Sequence, residues 1–175
     1  MLWDLPQESW TVEPVPQSAG IARRRALRAA RLWCPLPLTE PYEDRIMLVI
    51  SELVTNAVRH AGDAGPITVS LWLTPRGNFA VVVSDGSSQP PVWRKPGADE
   101  ESGRGLALVA KSSIAWEWRR RSGGGKSVHA TLPLPGSLTV AERAKATAAA
   151  ARRTVPGLPV ARPRQLFQLP IQGVA

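Results

Sequence analysis

A carboxylate and a carboxamide stand four residues apart in the segment 51–61, as Glu52 and Asn56. Side chains at this spacing are neighbours on one face of a helix. An amide oxygen can hold a hydrated Mg²⁺, a hard cation that seeks oxygen ligands. A carboxylate can orient or deprotonate a hydroxyl or a water beside it. An ordinary solvated pair on a helix surface has the same spacing, and for the pair alone this simpler interpretation is favoured.

A second candidate is Asp85, which ends an apolar stretch and is followed by Gly86. A carboxylate fixed at the end of a strand, beside a residue without a side chain, can accept a hydrogen bond from the amino group of an adenine in a flat pocket. Asp-Gly is also common turn chemistry, so this dipeptide alone predicts only a turn.

A third candidate is the run Gly103-Arg104-Gly105-Leu106, which opens a helical stretch after a proline-rich segment. Backbone N–H groups at a helix N-terminus bind anions, and glycines let a phosphate approach the main chain. A flexible loop that joins a helix has the same pattern. No strand precedes the run, so it does not fit the dinucleotide-binding motif, and the P-loop pattern is absent.

The elements that would position these residues follow from periodicity and turn signals. A strand is predicted at 9–15, helices at 18–33, 39–61 and 103–113, and further strands at 66–74, 78–85, 114–121 and 126–134. The aperiodic, proline-containing segment 86–102 predicts a long loop, of the length used for lids and binding elements. This order predicts an α+β fold in two layers, with one mixed, mostly antiparallel sheet and helices on one face.

The second predicted helix has a clear apolar face. At 100° per residue, its side chains that fall on one side are Ile46, Ile50, Leu53, Ala57 and Ala61. Thr39 is a candidate N-cap of this helix, and Ser18 is a candidate N-cap of the helix before it. Glu52 and Asn56 share a face that lies about 100–150° away from this apolar face.

Charge divides the chain into two parts. The formal net charge is +8; residues 1–135 hold 16 basic and 13 acidic side chains, and residues 136–175 hold six and one. The excess therefore belongs mainly to an Ala- and Pro-rich tail at 136–175, predicted to be partly helical or disordered. Nucleic-acid binding through this tail and the arginine-rich first helix is disfavoured, because charge runs are usually solvated faces.

Other features of composition exclude whole classes. A single cysteine, Cys34, excludes a disulfide framework and a cysteine-based zinc site. No apolar run approaches the roughly 20 residues needed to cross a bilayer. The first ten residues carry acids where a signal peptide has a basic region. A cytoplasmic protein without a membrane partner is expected.

In their order along the chain, the three candidate motifs strongly resemble the GHKL superfamily of ATP-binding domains, which have the Bergerat-type fold. The resemblance is strongest to anti-sigma-factor serine kinases and their actinobacterial relatives. It rests on 51–61 (SELVTNAVRHA), 83–87 with Pro91, 103–109 and 125–128, and it covers about residues 8–135. Residues 1–135 are therefore expected to form the ATP-binding domain, with a lid at about 87–102.

The resemblance also implies a role for each candidate residue. Asn56 would coordinate the Mg²⁺ of the triphosphate, and Glu52 would be the general base that activates a serine hydroxyl. Asp85 would bind the adenine amino group, and Gly86 would let the base approach. The residues that would contribute to the phosphate cradle are Gly103, Arg104, Gly105 and Leu106.

Three further assignments stay open. Arg59 and His60 would approach the phosphates, although a surface charge or a packing role is an equal alternative. Ser127 stands where relatives carry a threonine near adenine, but a plain strand serine has the same pattern. After Asp85 the chain lacks the second glycine of the Asp-x-Gly-x-Gly pattern of histidine kinases. The actinobacterial relatives are similar in this respect.

The resemblance implies a regulatory protein that binds ATP and Mg²⁺ and acts as a serine/threonine protein kinase. Its substrate would be a serine of an anti-anti-sigma-type antagonist protein, and a sigma factor would be an alternative partner. Homodimerisation is expected from the resemblance alone. The alternative is a non-catalytic GHKL-fold interaction module with weak or no ATP turnover, which the missing glycine and the proline-rich loop favour.

Overall fold

The computed structural model of the chain describes residues 5–34, 36–61, 65–91 and 105–136. Within these ranges the elements are β1 (Gln7–Val12), α1 (Gln17–Trp33), α2 (Glu40–Ala61), β2 (Ile67–Leu73), β3 (Phe79–Asp85), α3 (Gly105–Ser112), β4 (Ala115–Arg120) and β5 (Lys126–Leu132). Their order is the predicted one. The predicted tail at 136–175 lies outside the described residues from position 137 onward.

The strands form one open sheet in the order β1-β2-β3-β5-β4, and every neighbouring pair is antiparallel. The predicted α+β class is therefore confirmed, and the sheet is antiparallel throughout its described strands. β3 is the central strand, with β2 on one side and β5 on the other. The hairpin between β2 and β3 closes through Thr74 and Asn78, whose N–H and carbonyl groups are 2.8 Å apart. Asp85 therefore stands at the end of the central strand.

The helices cover one face of the sheet, because alternate strand residues are buried in a continuous row. Trp10, Val69, Val83 and Val128 are register partners across four strands, and all four belong to the hydrophobic core. Burial at every second position is the expected pattern for a sheet with one covered face. The core lies between this row and the helices.

α1 packs through alanines. Ala22, Ala26, Ala29 and Ala30 are buried, and their small size lets the helix approach its neighbours closely. Ser18 is not the N-cap, because α1 begins at Gln17 and the Ser18 hydroxyl donates to the carbonyl of Glu13 at 2.6 Å. The prediction of a Ser18 cap was therefore wrong, although the hydroxyl does tie the helix to the segment before it.

α2 lies on the middle of the sheet and on α3. Its predicted apolar face is confirmed for Ile46, Ile50, Leu53 and Ala57, which are all buried. Glu52 and Asn56 are half-buried beside this face. Among the described helices there is none whose length and hydropathy would suit a bilayer.

Candidate functional site

Glu52 of α2 lies directly against the first residue of α3. A Cβ atom added to Gly105 would overlap Glu52 Oε2 and would lie 3.3 Å from Glu52 Cδ. Only glycine leaves room for this carboxylate at the start of the helix. The fold therefore joins the first and third candidate motifs.

Asn56 follows one turn later on α2 and is half-buried. Within the described residues, neither Asn56 nor Glu52 makes a side-chain hydrogen bond or an ion pair. No described residue uses their oxygens. In the described part of the chain no group of three or more His, Cys, Asp or Glu side chains could hold a metal. An Asn oxygen still fits Mg²⁺, which is usually held by one or two protein oxygens together with substrate phosphates.

Arg59 and His60 lie in the last turn of α2, and both are exposed. Neither makes a hydrogen bond or an ion pair with another described residue. The structure therefore shows no hydrogen bond or ion pair from these two residues to Glu52, Asn56 or Asp85.

Asp85 is held by two donors at the end of β3. Its Oδ1 accepts hydrogen bonds from Lys126 Nζ and from the Ser87 backbone N–H, both at 2.9 Å. The Asp85 side chain is 2 % exposed and that of Lys126 is 0 % exposed. The two residues are register partners on β3 and β5, which explains why their side chains meet. Asp85 thus sits in a buried ion pair.

A glycine lets the backbone close around this pair. Gly125 has a φ of +79°, and a Cβ there would overlap the Asp85 carbonyl oxygen and would lie 2.9 Å from the Gly86 Cα. The end of β3 and the start of β5 are therefore in main-chain contact. This contact fixes the Asp85 backbone, and Gly86 itself is exposed.

Lys126 is the residue that sequence reasoning missed. Lysine is almost never fully buried unless it is paired, so a lysine in a strand is first assigned to the surface. The available signal was strand alternation: Lys126 has the same parity as Val128, Ala130 and Leu132, which are buried. A charged residue in an otherwise apolar inward row indicates a buried partner.

Ser127 lies on the other face of the sheet. Successive side chains alternate along a strand, and Lys126 faces Asp85. The Ser127 hydroxyl instead lies 3.2 Å from His129 Nε2. Burial and, more weakly, Arg119 lower the pKa of His129, while Glu117 opposes the shift. The structure therefore brings Lys126, and not the Ser127 hydroxyl, to Asp85.

The glycine-rich motif is only partly described. Gly103, Arg104 and most of the predicted lid lie outside the described residues, which resume at Gly105. Leu106 is buried in the core, so its side chain serves packing. Its contact with a ligand would have to come from the backbone.

The fold has relatives among solved structures. The chain aligns with the crystal structure of the RsbU and RsbW domains of Rv1364c from Mycobacterium tuberculosis at a TM-score of 0.54 and 21% identity, over 77% of this chain. It spans about a third of that chain, 35% of its length. A mycobacterial sensor histidine kinase, MprB, aligns at a TM-score of 0.44 and 18% identity, over 72% of this chain and 97% of that one. The first of these alignments shows a shared fold.

Sequence comparison gives the family. A family model described as the histidine kinase-like ATPase domain matches residues 16–132, more than half of the chain. This protein therefore belongs to the family of histidine kinase-like ATPase domains, and membership implies a site for ATP. An uncharacterised protein of Streptomyces coelicolor, SCO4941, is 36% identical over 74 residues, which are 41% of this chain and 70% of that protein.

Proposed function

We propose that this protein binds Mg·ATP and transfers the γ-phosphate to a serine of a partner protein, as a regulatory kinase. The observation that carries the proposal is the contact between Glu52 and Gly105, which places a carboxylate at the helix start where the family motif predicts phosphates. Asp85, at the end of the central strand, is the acceptor proposed for the adenine amino group. The family membership of residues 16–132 supports the same assignment.

The proposed transfer needs little covalent chemistry from the protein. The partner's serine oxygen attacks the γ-phosphorus, ADP leaves with the bridging oxygen, and Glu52 orients the hydroxyl and receives its proton. Asn56 is the residue proposed to hold Mg²⁺, which supplies neutralisation of the phosphate charge when it is bound. The backbone at Gly105, with Gly103 and Arg104 before it, would contact the phosphates.

The RsbW-containing structural neighbour and the motif resemblance support the proposed partner class. We propose an anti-anti-sigma-type protein as the phosphate acceptor, and a sigma factor as a second partner. Binding of the two would be mutually exclusive, with the nucleotide favouring one state through its different affinity for the two states. A homodimer is the proposed assembly, and the protein would act in the cytoplasm.

Two variants of α2 test the proposal. Asn56→Ala should weaken Mg·ATP binding by about tenfold or more. The reason is that a bound metal ion stabilises the negative charge of the phosphates by several kcal/mol. Calorimetric titration of wild type, Asn56→Ala and the neighbouring control Thr55→Ala measures this. Absence of Mg·ATP binding by the wild-type chain would exclude the proposal.

The kinase step has its own test. Glu52→Gln should reduce phosphate transfer to a captured partner about 10²- to 10⁴-fold, the usual contribution of a general base, with ATP affinity little changed. Glu40→Gln, an exposed carboxylate at the start of the same helix, is the matched control. Equal transfer by Glu52→Gln and wild type would reject the catalytic role of Glu52.

A non-catalytic interaction module is the second candidate, and the burial of Asp85 favours it. The carboxylate that would bind adenine is already paired with Lys126 and is nearly inaccessible. Such a module would capture its protein partners with equal affinity in the presence and in the absence of Mg·ATP. New phosphoserine in a captured partner would decide for the kinase.

A further inference from the structure

Lys126 is wholly buried, and among the described residues its Nζ has a single hydrogen-bond partner. Its Nζ carries three N–H donors. One donates to Asp85 Oδ1 at 2.9 Å, and no other described residue accepts a hydrogen bond from it. Burial of a charge is costly unless hydrogen bonds satisfy its remaining capacity. The unused donors of Lys126 therefore call for an acceptor that is not among the described side chains.

Asp85 can accept a further hydrogen bond. Its Oδ1 already receives two hydrogen bonds, from Lys126 and from the Ser87 backbone. No described residue donates to Oδ2. The pair thus holds an acceptor and a donor side by side at the end of β3, because Nζ and Oδ1 are in direct contact, and both side chains are buried there. Their main chains are fixed by the close approach of Gly125 to Asp85.

An adenine ring carries the matching groups on neighbouring atoms. Its exocyclic amino group is a donor, and the adjacent ring nitrogen N1 is an acceptor. Paired recognition of such a donor and acceptor by one protein acceptor and one protein donor is more selective than a single hydrogen bond. A shielded setting strengthens both bonds.

We propose that Asp85 and Lys126 read the base together: Asp85 Oδ2 accepts from the adenine amino group, and Lys126 Nζ donates to adenine N1. Lys126 is then a specificity-determining residue that contacts the nucleotide directly. The inference rests on the proposed function, since it concerns the same ATP site. A purely structural Lys126, which served only as the counterion of Asp85, would make no contact with N1.

Nucleotide analogues distinguish these roles with the unmodified full-length chain. 1-Deaza-ATP lacks N1 but keeps the amino group, so its Mg²⁺ complex should bind about tenfold or more weakly than Mg·ATP, the effect expected for a lost hydrogen bond to a charged donor. Purine riboside triphosphate keeps N1 but lacks the amino group, and it should also bind more weakly because Oδ2 loses its donor. Calorimetric titration measures both dissociation constants.

Variants assign the N1 contact to Lys126. Lys126→Met should bind Mg·ATP more weakly and lose the discrimination between ATP and 1-deaza-ATP, while Lys111→Met, an exposed lysine of α3, keeps it. Wild type that binds Mg·ATP and Mg·1-deaza-ATP equally would overturn this inference and leave the proposed function intact. Wild type that binds neither would overturn both. If Lys126→Met does not fold, the wild-type analogue series alone decides.

Discussion

Asp85 has two roles, and a single substitution of this residue would affect both at once. It is the proposed adenine acceptor, and it is also half of a buried ion pair with Lys126. Removal of one member of a buried pair leaves an uncompensated charge, which typically destabilises a protein by about 3–5 kcal/mol, whereas replacement of both members by apolar residues is often neutral. Loss of ATP binding in an Asp85 variant would therefore say little by itself.

A double-mutant cycle separates the two roles. We expect Asp85→Leu and Lys126→Met each to lower the free energy of unfolding by about 3–5 kcal/mol. The double variant should recover most of this loss, because neither charge is left unpaired. It should nevertheless fail to bind Mg·ATP. Urea denaturation and nucleotide titration of the four proteins measure both quantities, and additive destabilisation in the double variant would contradict the structural coupling.

His129 gives a pH dependence to stability. Burial, the largest effect, and Arg119 lower its pKa, and Glu117 only partly offsets this. The unfolded chain therefore binds a proton on this residue at a higher pH than the folded chain does. Stability from His129 is fully present above its ordinary pKa of about 6.5 and is lost as the pH falls below that value.

The corresponding prediction concerns the change in melting temperature between pH 7.5 and 5.5. Wild type should lose more stability on acidification than His129→Gln does, because glutamine cannot take up the proton. Thermal unfolding of both proteins in buffers of equal ionic strength measures the difference. Identical losses would mean that His129 is not a source of the pH dependence.

At the scale of the elements, the sequence predicts more than it does at the scale of side-chain orientation. The four-residue spacing predicts that Glu52 and Asn56 share one face of α2. The apolar residues of the same segment predict the buried face of this helix. The structure has both features. The pairing of Asp85 with Lys126 depends on which strand lies beside β3, and that is set by the long-range sheet order. Ser127 illustrates the same point, since a shift of one residue along a strand exchanges the two faces of the sheet.

The junction of α2 and α3 carries a prediction in which function and stability separate. In Gly105→Ala the new Cβ would displace Glu52 Oε2, the end of a flexible side chain that can move away. Phosphate transfer should fall by about 10²-fold, the size of effect that a displacement of about 1 Å in a catalytic group can have. Stability should be unchanged or higher by up to about 1 kcal/mol, because alanine is the better helix former.

Gly20→Ala in α1 is the matched control for this variant. A Cβ at Gly20 would meet the Arg24 side chain only at 3.5 Å, an ordinary contact. The control should gain similar helix stability and keep full phosphate transfer. Denaturation curves and transfer assays on both variants provide the comparison. Full transfer by Gly105→Ala would show that the position of Glu52 against α3 is not needed for the reaction.

For the whole molecule, the net charge of +8 describes two unlike parts, and the family match falls within one of them. Residues 1–135 are nearly balanced, and the family model ends at 132. The described fold closes with Leu134 in the core and with Gly136 close to Leu36. The basic residues of 136–175 all lie outside the described residues. The composition of the sequence distinguishes these two parts. It does not predict the function of residues 136–175, which depends on the molecule that they bind.

Binding of nucleotide at the site should raise the melting temperature of the whole domain, which a thermal-shift assay measures. A ligand that binds only the folded chain stabilises it by about 2.7 kcal/mol at a free concentration of 100 times its Kd. For a domain of this size the melting temperature should then rise by roughly 5–11 °C with Mg·ATP. Wild type and a chain that ends at Gly136 should show the same rise, since the proposed ligand groups all precede that residue, and Asn56→Ala at the same nucleotide concentration should show less. A rise confined to the full-length chain would place part of the nucleotide site in residues 137–175.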